Sequence, residues 1–169
     1  MLTLKDYVNW GLTHTKKKPK SRNLFNKDNI VVQYFNLVTN IQPTETGVSF
    51  YTVDDYGPSK YGQYWLSIGN ASDFRGKTLT FSSPSYGGTV ATKISIVNGR
   101  TATQNGSNFA KSGDVYFSRI TIPDEEFTTE KVCIMLYVYG KSANELIEYN
   151  EIMVNEGSEI LPYESYNKK

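Results

Sequence analysis

The chain has 169 residues, a length that suits one domain able to bury roughly 70% of its unfolded surface, enough for an apolar core. Its 18 Lys and Arg against 17 Asp and Glu leave a formal charge of +1, which excludes a strong field for holding a polyanion or an anionic membrane. No apolar run approaches the roughly 20 residues that span a bilayer, and a solitary cysteine, Cys133, excludes an internal disulfide framework. The expected partners therefore include neither nucleic acid nor an inserted membrane.

Residues 1–22 differ from the rest. Leu2, Leu4, Tyr7, Val8 and Trp10 crowd before Gly11 and partly fit one face of a short helix starting at Thr3. Helices below about 12 to 15 residues are marginal alone, so such an arm needs a surface to rest on. Lys5, Asp6 and Asn9 interrupt the apolar residues, which is unlike a signal peptide; if the protein acts outside a cell, lysis or a particle is the expected route. Lys16-Lys17-Lys18-Pro19-Lys20 reads as a solvated linker. The expectation is a docking arm and linker over 1–22 that contacts other proteins, followed by a domain over 23–169. The arm folding back on its own domain is the alternative; four lysines on a linker are a weak signal for nucleic acid.

From Asn23 onward the signals are those of strands. Residues 47–53, 64–68, 77–81 and 90–97 are short, rich in β-branched or aromatic side chains, and bounded by Gly, Asn, Ser or Pro. Residues 114–122 and 131–139 continue the series. Val90, Ile94 and Ile96 share one parity and Ala91, Lys93 and Ser95 the other, predicting one buried and one wet face. Asn98-Gly99 predicts a type I′ hairpin turn. The Thr-, Asn-, Gly- and Ser-rich residues 101–111 read as a mobile loop or hairpin arm, and 144–148 as a loop turn or short strand. Ile152 and Val154 alternate with Met153 in a closing strand, Gly157 stops it, and Pro162 keeps the tail extended. About eight strands with no long periodic helix predict an all-β fold, an antiparallel β-sandwich.

The chemistry-bearing residues point away from catalysis. His14 is the only histidine, sits in the arm and has neither nucleophile nor orienting acid near it in sequence. Cys133 lies between Val132 and Ile134 in an apolar strand, where a packed thiol is the ordinary outcome. Cys and His do not cluster for zinc, and no glycine-rich loop joins strand to helix for phosphate. Glycoside hydrolysis needs two carboxyls at a set separation, but the neighbours Asp54-Asp55 and Asp124-Glu125-Glu126 point apart in extended chain, and Glu145 and Glu148 sit near a predicted loop.

Binding chemistry is denser. Tyr51, Asp54, Asp55, Tyr56, Tyr61, Tyr64 and Trp65 place five aromatic rings and two carboxylates around a Gly-Pro-Ser-Lys turn. Sugars stack C–H faces on rings and bond hydroxyls to Asp, Asn, Arg or Lys, so this is the expected ligand-binding group; packing in the core or against a protein is the competing use. Trp65 and Leu66 face opposite ways, so one of them is expected inside. Tyr137 and Tyr139 share a parity with Cys133 and Met135, opposite the aliphatic Val132, Ile134, Leu136 and Val138, and are expected on an outer or concave sheet surface.

Asn23-Leu24-Phe25-Asn26 at one end, with Met153-Val154-Asn155-Glu156-Gly157-Ser158 and Pro162-Tyr163-Glu164 at the other, resembles the boundary signature of jelly-roll modules. These are similar to carbohydrate-binding modules and occur in tail, baseplate and fibre proteins of tailed bacteriophages. The resemblance spans 23–166 and is carried by its two ends. It implies a jelly roll and a virion setting: a structural protein of tail, baseplate or head fibre that attaches to host-surface polysaccharide without catalysis. The alternatives are a purely structural decoration or adaptor protein that binds no sugar, and the detached binding module of a glycan-active enzyme. It also implies a homo-oligomer, with a homotrimer as the expected number. No cofactor is expected beyond a structural calcium, for which Asp28, Asp54, Asp55 and Asp73 are the candidate ligands.

Overall fold

The computed structural model describes residues 23–55, 60–84 and 92–166. The docking arm, Tyr56 with the turn that follows it, and residues 90–91 of the expected strand lie outside them. The described chain is an antiparallel β-sandwich, as the alternation predicts. Its strands are β1 (Val31–Asn36), β2 (Gln42–Pro43), β3 (Val48–Tyr51), β4 (Gly62–Asn70), β5 (Thr78–Ser83), β6 (Lys93–Asn98), β7 (Thr101–Asn105), β8 (Ala110–Ser112), β9 (Val115–Thr121), β10 (Lys131–Val138), β11 (Leu146–Tyr149) and β12 (Met153–Glu156). One 3-10 turn, Ala71–Phe74, interrupts them, and no helix among the described residues is long and apolar enough to cross a membrane.

One layer is a five-stranded sheet in the order β1-β4-β10-β6-β7. Facing it are two smaller sheets, β11-β3-β2 and β12-β5-β9-β8. A bend at Glu151, whose φ is +48°, carries the chain from β11 in one small sheet to β12 in the other. Both layers feed a single core. Tyr64 and Leu66 of β4, Ile94 and Ile96 of β6, and Val132, Ile134, Leu136 and Val138 of β10 meet Val48, Phe50, Leu79, Phe81, Ile147, Tyr149 and Val154 from the facing layer. The expected aliphatic face of β10 is thus the inner one.

Two expectations change and a third is narrowed. The face of β6 opposite Ile94 and Ile96 is not wet: Ser95 and Val97 are fully buried, because Asn105 bonds Ser95 at 3.1 Å and a second apolar cluster encloses Val97. At the hairpin, Asn98 pairs with Thr101, so the loop is Gly99-Arg100 and only Gly99 has positive φ, +59°. That is the type II′ requirement, glycine at the first loop position, and not type I′. Of the two readings of residues 101–111, the hairpin arm is the one that forms: β7 pairs with β6 and extends the five-stranded sheet, and β8 pairs with β9 and extends the four-stranded one.

The two ends of the domain meet. Asn23 is buried; its amide donates to Ile152 O at 2.8 Å and to Glu164 O at 3.0 Å, and its carbonyl oxygen accepts from the backbone N–H of Phe25 and of Val154, both at 3.0 Å. Leu24 N donates to Val154 O at 2.7 Å, so the opening segment lies along β12.

Candidate functional site

Because side chains alternate across a strand, each register pair of the five-stranded sheet sets a row on its outer face. Tyr34, Trp65, Met135 and Lys93 form one row across β1, β4, β10 and β6. Asn36, Gln63 and Tyr137 form the next. Tyr61 and Tyr139 stand beyond the strand ends and complete the stripe: Tyr61 lies 5.5 Å from the Tyr137 ring and 5.1 Å from the Tyr139 ring. At the far side Tyr34 meets Trp65 edge-on at 5.1 Å, and the Gly99-Arg100 turn sets the Arg100 guanidinium 5.5 Å above Tyr34.

Beneath these rings lies a second apolar cluster of Trp65, Val97, Cys133 and Met135, against which Tyr34, Ala102 and Tyr137 pack. The indole N–H of Trp65 donates to Gln63 Oε1 at 2.9 Å, which holds both side chains down. Trp65 is only 6% exposed, so it floors the face while Tyr34, Tyr61, Tyr137 and Tyr139, all half-buried, present ring surface. Burial, with the neighbouring Tyr61 hydroxyl adding to it, pushes Tyr137 up to about 12, and burial raises Tyr139 as well. Both phenols are neutral donors at physiological pH. Rings over an apolar floor, with Asn36, Lys93 and Arg100 around them, suit a flat, hydroxyl-bearing ligand.

The seven residues expected to bind ligand are divided by the fold. Tyr61 joins the stripe, and Trp65 lies under it. Tyr64 points inward, buried in the main core, where its hydroxyl donates to Thr39 O and its ring meets Phe50 at 5.0 Å; that removes it from any surface role. Tyr51 is exposed on β3, in the other layer. Asp54 pairs with Lys60 and accepts from Asp55 N at 2.8 Å, which holds its carboxyl below the usual range. Asp55 accepts from Ala143 N at 2.8 Å and so ties the loop after β3 to the loop after β10. Tyr56 is outside the described residues. Tyr34 went unpredicted because β1 itself did; Val31-Val32 and Tyr34-Phe35 were the available signal.

No three of the candidate calcium-ligating aspartates gather at one point. Asp28 pairs with Lys27 at 2.6 Å, Asp73 accepts from Asn70 N at 3.3 Å, and Asp54 and Asp55 are engaged as above. Among the described residues no three His, Cys, Asp or Glu side chains converge on a point that would hold an ion. Glu130 and Glu145 are both held below the usual carboxylate range, Glu130 by backbone N–H groups and Glu145 by Lys141. A general acid for glycoside cleavage needs the opposite displacement.

A cleft of about 340 Å³ lies where the opening segment meets β1 and β4, lined by Leu24, Phe25, Ile30, Gln33, Asn70 and Tyr166 among others. Several of its polar groups are already committed: Gln33 donates to Gly99 O at 3.2 Å and Asn70 bonds Lys131 and Asp73. The aromatic stripe is the better candidate. Set against protein-family models, curated proteins and solved structures, the chain matches none of them, and the stripe is read from its own geometry.

Proposed function

We propose that the chain is a non-enzymatic, glycan-binding structural component of a bacteriophage particle, and that host-surface polysaccharide lies along the outer face of the five-stranded sheet. The observation that carries the binding is the continuous tyrosine stripe Tyr61, Tyr137 and Tyr139, with Tyr34 beyond it, over an apolar floor. Sugar rings stack on such faces, and Arg100, Lys93 and Asn36 supply partners for hydroxyls. The virion setting and the jelly-roll relationship rest on the resemblance at the two ends of the domain, and docking through residues 1–22 on the apolar crowding of Leu2, Leu4, Tyr7, Val8 and Trp10. A shallow face binds one sugar weakly, so several copies on one particle are needed for useful avidity.

Arrays of host cell-wall polysaccharide probed with the assembled protein test this. Binding is expected, and Tyr61→Ala is expected to weaken it about tenfold, or ~1.4 kcal/mol, while Tyr51→Ala on the other layer changes nothing. If no polysaccharide is retained, the protein is a structural virion component. That second reading is favoured by one observation: Val31, Val32 and Phe35 stand exposed along β1, which is protein-contact chemistry.

A further inference from the structure

β1 ends the five-stranded sheet, and among the described residues no strand pairs with its free side. Its sequence, VVQYFN, has no charge, proline or glycine. The other sheet edges are polar, charged, short or covered: β7 reads TATQN, β8 carries Lys111, β11 sets Glu148 beside Leu146, β2 is two residues long and ends in Pro43, and Leu24 covers β12. β1 instead exposes Val31 at 52%, Val32 at 39% and Phe35 at 50%.

The bulge in β1 between Val32 and Tyr34 organises this edge. Val32 registers with Leu66 and Phe35 with Tyr64, so both face the inner side although three residues apart, which a regular strand forbids. Phe35 stacks on Tyr64 at 5.5 Å, but the facing layer does not reach over it.

We propose that β1 of a second copy of this chain occupies the edge, antiparallel about a twofold axis, so that Val32 of each protomer packs on Phe35 of the other. The strand matches itself. In that register Val32 and Phe35 answer each other on the inner side, Val31 meets Asn36 on the outer side, and no like charges oppose. An unrelated strand would have to bring the same uncharged pattern and the same offset. Two sheets of five strands then become one of ten, with both tyrosine stripes on the same side. A twofold strand pair closes at two copies, in place of the trimer that the resemblance implies. The association stands whether or not the stripe binds sugar.

Sedimentation equilibrium of the full chain tests it. A single strand pair buries less than the roughly 1,200 Å² of stable complexes, so the measurement extends to about 100 µM. A dimer is expected, with Phe35→Lys raising its dissociation constant at least tenfold and Leu146→Lys, at an exposed apolar residue of the other layer, leaving it unchanged. Val31→Lys serves if Phe35→Lys does not fold. The double variant Val32→Cys, Phe35→Cys is expected to form a disulfide dimer on mild oxidation, while either single variant does not. A monomer at the highest concentration, a trimer, or a dimer indifferent to charge on β1 overturns the proposal.

Discussion

Burial at Cys133 raises its thiol from an ordinary 9.0 to about 12, against a smaller opposing pull from Lys131. At neutral pH the group is a protonated apolar filler and not a thiolate, so it supplies neither nucleophile nor metal ligand. The fold favours the protonated form, and that stabilisation is therefore complete below about pH 9 and is lost as pH rises towards 12. Urea denaturation from pH 8 to 11 is expected to show stability falling more steeply in the native sequence than in Cys133→Ala, by about 1.4 kcal/mol per pH unit above pH 9. Equal slopes would mean that the thiol is solvated. Tyr137 titrates in the same sense over a later window, from 10.0 up to about 12. Strand alternation made the inward side of Cys133's neighbours legible. It left Trp65 undecided, because the ring that covers Trp65 is Tyr34, supplied by another strand.

At the scale of elements, the crossing at Gly106 is the tightest device joining the layers. Gly106 N donates to Ile94 O in β6 at 2.9 Å and Ser107 N to Arg119 O in β9 at 2.8 Å, so this short segment links the five-stranded sheet to the four-stranded one. A Cβ on Gly106 would lie 2.5 Å from both carbonyl oxygens, and neither can withdraw without breaking a strand. Gly106→Ala is expected to cost about 3 kcal/mol in chemical denaturation. Gly99→Ala is the contrast: nothing lies within 4 Å, and only the left-handed backbone penalty of about 1 kcal/mol applies. Similar losses would place the crossing elsewhere. Composition marked residues 101–111 as a mobile loop or hairpin arm because Thr, Asn, Gly and Ser are common in turns, yet the β-branched Thr101 and Thr103 also suit a strand, and Gly106 and Ser107 fall in the crossing between β7 and β8.

For the molecule as a whole, the two terminal motifs form one clasp. Asn23 spends all four of its hydrogen-bonding positions on the backbone of the opening segment, the closing strand and the tail. Asn23→Ala leaves the N–H groups of Phe25 and Val154 buried without their acceptor, a loss of about 3 kcal/mol. Asn23→Asp is not expected to rescue it, since a carboxylate accepts those two bonds but donates nothing to Ile152 O and Glu164 O. Thermal and urea unfolding check both variants; full stability in Asn23→Ala would show that the ends are held by apolar packing alone. Asn23, Leu24 and Val154 thus serve closure of the fold, which bears on stability and not on ligand.

The sequence by itself determined the class of fold, the places of β3, β4, β5, β6, β9, β10 and β12 and the inward parity of β10, because a period of two is a property of neighbours along the chain. It also placed Cys133 in a packed strand and separated Tyr137 from the aliphatic core. Only the tertiary structure decided which outward faces stay outward. Ser95 and Val97 are buried, Tyr64 is lost to the core, Tyr61 is joined to Tyr137 and Tyr139, and β1 is left uncovered. Each of those outcomes depends on which distant strand arrives alongside, in which register, and that pairing is a property of the assembled sheets and not of any stretch of sequence.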